Sequence, residues 1–253
     1  MAPTTPPVPL PRYLQLMWGV ETGGRRRGPK PGRTIQDIGA AAVAVADRDG
    51  LAGVSMKSVA AELGLTTMSL YRYVDSKDEL YAVMLDTAYG RPDPGLTTRG
   101  SWRTRLERWA RAIAAVRLEH PWTVTVPLGE PQATPNTARW TEAGLGAFTG
   151  TKLDAQQRFS SLLLIDGFVQ QHIRQSLTLG FLGEGGQVLA GSDSYPENLY
   201  SVADAKEFPL LLAGAGEALA DDSPDDDFFA TELDFGIRTI LDGIAVQVEA
   251  AAR

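Results

Sequence analysis

Apolar residues recur at helical spacing along most of the chain, and no stretch alternates convincingly enough to form a strand. The first clear stripe is Ile35, Ile38, Ala42 and Val45, with Thr34 and Asp37 placed as a capping box before it and Gly50 at its end. A second, short helix is predicted from Ser55 to Leu63, with Val59, Ala60 and Leu63 inward and Gly64 as the stop. Two residues later Thr66 or Thr67 can cap a third, whose buried edge is Leu70 and Val74 at i, i+4. Ser76-Lys77-Asp78-Glu79 reads as a further capping box, opening a fourth helix through Leu80, Val83 and Met84 towards Tyr89. Arg91-Pro-Asp-Pro-Gly95 then breaks the pattern and marks a domain boundary.

Beyond that break, Trp102, Leu106, Trp109, Ile113 and Val116 form the stripe of an amphipathic helix that ends at His120-Pro121. Asp154 and Gln157 cap a helix over 154–179 with apolar residues on all sides, which predicts a central position. The last helix, 228–251, carries Leu233, Ile237, Ile240, Leu241, Ile244 and Val248 on one stripe. Upstream, five prolines in the first eleven residues predict an extended, flexible leader. Tyr13 to Trp18 is an apolar patch with two readings, a segment docked on the body or a remnant of a flexible tail. The fold class is therefore all-α, divided into a Pro-rich leader (1–24), a basic arm (25–33), a helix-turn-helix domain (34–90) and a larger helical domain (91–253).

Composition removes most chemistry. At 253 residues, 43% hydrophobic and 22% charged, the chain is an ordinary globular one. The absence of Cys excludes disulfides, thiolate metal sites and cysteine nucleophiles, and His120 and His172 lie too far apart for a compact metal motif. The five aspartates of 221–227 lack the Gly turn and terminal Glu of a calcium loop and read as a solvated loop capping the last helix. No metal or cofactor is expected. Neither Asp166 with His172 nor any Ser-His grouping gives a catalytic constellation, so no enzyme is expected. With no apolar run near the ~18 residues of a membrane span and no signal-peptide pattern, the expected location is cytoplasmic.

Charge points elsewhere. The net charge of −7 argues against a nucleic-acid binder, yet Arg25, Arg26, Arg27, Lys30 and Arg33 form a basic arm with no acid in it. Residues 34–90 are themselves acidic, with four basic and eight acidic side chains, so any DNA binding leans on the arm. Such an arm can reach phosphates or a minor groove, or it is a solubilising charge run.

Two short helices joined by a Gly-containing turn form the helix-turn-helix geometry, which sets the second helix in the DNA major groove. Helical hairpins are common, but here the residues are specific. Val59-Ala60, Leu63-Gly64, Leu70-Tyr71-x-Tyr73-Val74 and Lys77-x-x-Leu80 closely resemble tetracycline-repressor-like (TetR) family regulators over residues 34–89. The C-terminal part is similar to that family's ligand and dimer domain in layout, with His120-Pro121-Trp122 similar to one subgroup. The resemblance implies a DNA-binding transcriptional regulator, a repressor released by a small-molecule effector, acting as a homodimer on a palindromic operator. It implies base or phosphate contacts at Thr67, Met68, Ser69, Tyr71 and Tyr73 and phosphate contacts at Ser55, Lys57 and Lys77.

Residue geometry agrees in part. With Leu70 and Val74 inward at about 100° per residue, Met68, Ser69 and Arg72 face outward and Thr67, Tyr71 and Tyr73 lie on the flanks. Arg72 suits guanine or phosphate; the alternative for Tyr71 is a core tyrosine packed on the first helix. In the second domain, Trp102, Trp109, Trp140 and Phe148 supply aromatic bulk for an effector pocket or for plain packing. Asp166 and Gln170 interrupt the face of Phe159, Leu163, Ile173 and Leu177, so they meet either an interface or a polar ligand atom, and His172 reads as effector contact or core histidine. The helices 154–179 and 228–251 are expected to form a four-helix dimer interface that charges at Ile237 or Ile244 would break. The competing classes are a DNA-free interaction protein, which leaves the arm without a purpose, and a helical-bundle enzyme.

Overall fold

The computed structural model describes residues 10–20, 32–127, 133–183, 185–187, 189, 201–213 and 228–253. Arg25, Arg26, Arg27, Lys30, residues 1–9 and the aspartates of 221–227 lie outside them. No β-strand forms among the described residues.

The N-terminal unit contains α1 (Arg12–Trp18), α2 (Ile35–Gly53), α3 (Met56–Glu62), α4 (Thr67–Leu70) and α5 (Lys77–Tyr89). The Thr34 hydroxyl accepts from Asp37 N and the Asp37 carboxylate accepts from Thr34 N, completing the expected box on α2. Gly50 interrupts α2 at φ 69°, a left-handed value that favours glycine, so the first straight run stops where its sequence indicates. At α5 the Ser76 hydroxyl caps Glu79 N, but Glu79 does not return the bond to Ser76: its carboxylate accepts from Asp75 N at 2.6 Å. The reciprocal box expected there is thus a one-sided cap with a second bond one residue upstream.

Of the two readings of Tyr13 to Trp18, the docked one holds: residues 12–18, inside the segment expected as a flexible leader, form a helix packed on the body. Tyr13 and Leu14 are buried in the same cluster as Ile38, Val45, Leu80 and Met84, and Trp18 Nε1 donates to the Ala133 carbonyl at 2.8 Å. A seven-residue helix is marginal by itself, so burial of this apolar face against α2 and α5 is what holds it.

The second unit comprises α6 (Trp102–Glu119), a 3-10 turn (Pro121–Val124), α7 (Pro135–Ala147), α8 (Ala155–Thr178) and α9 (Phe228–Ala252). Its core is built from Leu106, Trp109, Ile113, Ile165, Val169, Ile173, Ile237 and Leu241. The helix α7 was not evident in the sequence pattern, because its buried stripe of Trp140, Gly144 and Ala147 is mostly small. Small size is required: a Cβ on Gly144 would come within 2.8 Å of both Trp109 and Leu162. The central placement expected for α8 holds on one side only. Leu162, Ile165, Val169 and Ile173 are buried, whereas Phe159, Leu163 and Leu164 are exposed.

Candidate DNA-binding interface and its link to the second domain

The turn between α3 and α4 is built from local chemistry. Ser55 caps α3 by accepting from Ser58 N, and Gly64, at φ 66°, lets Leu65 N donate back to the Ala60 carbonyl at 2.8 Å. Thr66 then caps α4 by accepting from Ser69 N. Leu70 and Val74 are wholly buried, each contributing about 1.5–3 kcal/mol of burial free energy, and they fix which face of α4 looks outward.

That outward face carries Met68, 76% exposed, and Tyr71, 42% exposed, together with Arg72. Tyr71 is therefore not the core tyrosine of the alternative reading. Among the described residues the side chains of Arg72 and Lys57 are exposed and make no hydrogen bond or ion pair. Thr67 and Ser69 are half-buried, and the Ser69 hydroxyl turns back to the Thr66 hydroxyl at 2.9 Å, so Ser69 is less outward than helical geometry places it. Tyr73 is half-buried and its hydroxyl donates to the Arg33 carbonyl at 2.9 Å. Arg33 in turn donates through Nη2 to the Leu63 carbonyl at 3.2 Å. Arg33 is thus the anchored root of the arm, held against the end of α3 and the flank of α4. The Ser55 hydroxyl also pairs with that of Ser58, and Lys77 Nζ sits 5.1 Å from the Tyr81 ring centroid.

Side-chain hydrogen bonds tether this unit to the second domain at several points. On α5, buried Asp86 accepts from Asn136 N at 2.6 Å, and burial holds its carboxyl above the usual range. Trp140 Nε1 donates to the Tyr89 and Gly90 carbonyls. Most centrally, Arg117 of α6, almost wholly buried, donates through Nε to the Tyr89 hydroxyl at 3.0 Å and through Nη2 to Asp166 at 2.7 Å. Burial pushes the Tyr89 phenol up, so it stays protonated and neutral. A further bond joins α2 to the 3-10 turn, where Asp47 Oδ1 accepts from Trp122 Nε1 at 2.7 Å and lies 2.8 Å from His120 Nδ1. Sequence reasoning missed Arg117 and Asp47. Arg117 carried a signal, since it continues the buried stripe of Leu106, Ala110 and Ile113 where an apolar residue belongs. Asp47 carried none, because its partners are 73 and 75 residues away.

The candidate effector residues do not converge on one open pocket. Trp109, Trp140 and Phe148 are 3%, 7% and 1% exposed and fill the core, with Trp109 Nε1 bonded to the Trp140 carbonyl at 2.8 Å. Trp102 is half-buried on the same cluster. Asp166 is paired with Arg117, and Gln170 is half-buried on α8. His172 is sandwiched between Phe168 and Phe229 at ring separations of 5.7 and 4.7 Å. Its Nε2 lies 3.0 Å from the Phe229 carbonyl, so Nε2 carries the proton, and burial pulls its pKa down. These are packing and hydrogen-bonding roles. Ile237 and Ile244, expected at a dimer interface, are also core residues; the outward apolar residues of α8 and α9 are Phe159, Leu163, Leu164, Phe235 and Val246.

A capped two-helix hairpin, with Arg33 bonded to the end of α3 and to Tyr73, has the geometry of a helix-turn-helix DNA-binding unit. The comparisons agree. Residues 38–84 match the model for bacterial regulatory proteins of the tetR family, and residues 93–248 match that for the tetracyclin repressor-like C-terminal domain. The HTH-type transcriptional repressor DrrR1 of Streptomyces coeruleorubidus is 36% identical over 245 residues, covering 94% of this chain and 86% of that protein. The fold is shared with apo ActR of Streptomyces coelicolor at a TM-score of 0.69 and 20% identity, covering 88% of this chain and 100% of that one. It is likewise shared with ActR in complex with actinorhodin, at 0.67 and 20%, over 86% and 97%. The chain belongs to the TetR family of transcriptional regulators, DNA-binding proteins and not enzymes. No helix among the described residues is long and apolar enough to cross a membrane.

Proposed function

We propose that this protein represses transcription as a cytoplasmic homodimer that binds a palindromic operator and releases it when a small molecule binds. The observation that carries this reading is the outward face of α4, where Met68, Tyr71 and Arg72 are exposed beside buried Leu70 and Val74. A large thioether and a phenol presented side by side on a short capped turn of helix suit a partner surface, and base edges and thymine methyls in a major groove provide one. Arg25, Arg26, Arg27 and Lys30 precede Arg33 in the sequence, and their charge would supply phosphate contacts the acidic helical unit lacks.

Support for the dimer comes from the exposed Phe159, Leu163, Leu164, Phe235 and Val246, an apolar surface on two adjacent long helices that a second copy would cover. Support for effector control comes from ActR, a structural neighbour solved with actinorhodin, and from the polar line Tyr89–Arg117–Asp166. A shift of α6 moves Arg117, Arg117 moves the end of α5, and the spacing of the two α4 helices across the dimer changes. The test is a mobility shift of the full chain on duplex DNA flanking its own gene and on a shuffled duplex of equal length. Specific binding at least about 10³-fold tighter than to shuffled DNA is expected; equal affinity for both would overturn the operator reading.

A further inference from the structure

We propose that the cleft between the DNA-binding unit and the second domain binds a cationic molecule with a flat apolar body, and that Asp47 recognises the cation. The inference rests on the effector-controlled reading for its regulatory meaning, and deepens it by naming a place and a ligand class.

The cleft has a volume of about 580 Å³, inside the range of roughly 300–1,000 Å³ typical of small-molecule sites. One wall is the C-terminal end of α2 around Asp47 and Leu51; the others are Pro121 and Trp122 of the 3-10 turn and Leu177 and Leu182 at and beyond the end of α8. Pro121, Trp122 and Leu182 are themselves buried, so the partly exposed Leu51 and Leu177 are the apolar side chains that offer surface to a planar hydrocarbon body. The second-domain core offers no such space where Trp109, Trp140 and Phe148 close on one another.

The polar lining selects charge. Its hydroxyls are committed as donors: Thr125 Oγ1 donates to the Trp122 carbonyl and Thr178 Oγ1 to the Arg174 carbonyl. Arg48 is paired with Asp49 at 3.0 Å and with Glu62 at 3.1 Å, so it is not free for an anion. Asp47 differs. Both its side-chain bonds, from Trp122 Nε1 and with His120 Nδ1, fall on Oδ1, leaving Oδ2 without a protein partner. The cleft therefore presents one unpaired carboxylate oxygen beside the edge of an indole, and its one cationic side chain, Arg48, is already shared between two acids. An ammonium meets a carboxylate oxygen there, a charge-assisted bond that strengthens as water is excluded; a carboxylate meets repulsion.

The position gives binding a consequence. Asp47 and Leu51 belong to the DNA-binding unit, whereas Trp122 sits on a turn that Arg174 of α8 holds by two bonds to the Val124 carbonyl at 2.7 and 3.0 Å. A ligand touching both sides binds the two arrangements of the domains unequally, which is the condition for a coupled switch.

Three anthracenes of one shape test this on the DNA-free full chain: 9-(aminomethyl)anthracene, 9-anthracenemethanol and 9-anthracenecarboxylate. Binding is read by energy transfer from tryptophan to anthracene, and the fold of each variant by circular dichroism and thermal melting. The cation is expected to bind at least tenfold more tightly than the alcohol, about 1.4 kcal/mol, and the carboxylate more weakly still. Asp47→Asn keeps an acceptor for Trp122 and His120, and is expected to abolish the preference of cation over alcohol. Trp122→Phe is expected to lower both affinity and transfer, and Glu249→Gln, an exposed acid on α9, to change neither. Equal binding of all three compounds by the wild type, or undiminished cation preference in Asp47→Asn, would overturn the proposal. Because no DNA is present, that failure leaves the operator reading standing, and failure of operator binding leaves the site standing.

Discussion

Arg117 of α6 and Asp166 of α8 meet at 2.7 Å, and the same guanidinium holds the Tyr89 hydroxyl at the end of α5. One buried cation thus ties the last helix of the DNA-binding unit to a long helix of the second domain. Burial works against its charge, but Tyr89 and Asp166 outweigh that and keep Arg117 protonated. Asp166→Ala removes a counter-charge that is itself more than a third exposed, so the expected loss is discounted to about 1–2 kcal/mol. Tyr89→Phe is expected to cost about 1 kcal/mol and to weaken coupling between effector and DNA. Urea denaturation checks the first quantity, and the ratio of effector affinities with and without operator checks the second.

The outward and inward faces of α8 and α9 are expected to separate effects on assembly from effects on folding. Leu163→Glu, at a side chain 73% exposed, is expected to give a folded monomer with weakened operator binding. Ile237→Glu, at a side chain with no exposure, places a charge in the core and is expected to unfold the second domain instead. Light scattering with circular dichroism on both variants distinguishes the outcomes.

Affinity and specificity for DNA should divide between arm and helix. Replacing Arg25, Arg26 and Arg27 with Ala is expected to weaken operator and random DNA alike and to reduce the salt slope by about 0.9 log units for each phosphate that is no longer neutralised. Tyr71→Ala is expected to weaken operator binding more than random binding. Fluorescence anisotropy across a salt series measures both; an unchanged slope without the three arginines would remove the arm from the interface.

His172 should make stability pH-dependent on the acid side. Burial between Phe168 and Phe229 lowers its pKa below the ordinary 6.5, against the opposing pull of the Phe229 carbonyl and Glu232. A lowered histidine pKa favours the neutral folded form, so its contribution is complete above about pH 6.5 and is lost as pH falls through the folded-state value. His172→Gln, which retains an N–H for the Phe229 carbonyl, is expected to lose less stability than wild type between pH 7 and pH 5. Thermal melts at the two pH values provide the comparison.

Local chemistry made the DNA-binding unit readable in the sequence. Thr34, Ser55 and Thr66 cap helices whose apolar stripes begin directly after them, and Gly50 and Gly64 break the chain where only a left-handed residue fits. What the sequence hid is tertiary. The helix α1 exists because Tyr13 and Leu14 find a partner surface, and Trp109 and Trp140 are core residues because α7 brings them together. Tyr71 and Tyr73, two positions apart, take opposite roles: Tyr71 is exposed, and Tyr73 bonds an arm residue 40 positions upstream. Ile237 and Ile244 share a stripe that periodicity assigns to some buried face, but period alone does not say whether that face meets the same subunit or another.

If a dimer of this chain reads DNA through α4, a protection assay with the 253-residue chain on the DNA flanking its gene will reveal it. Two protected half-sites related by two-fold symmetry are expected, with centres about one helical turn, roughly 34–36 Å, apart. Their loss is expected in Tyr71→Ala at concentrations that saturate the wild type. Protection of a single asymmetric stretch, or a pattern that Tyr71→Ala leaves unchanged, would contradict a dimer that reads DNA through α4.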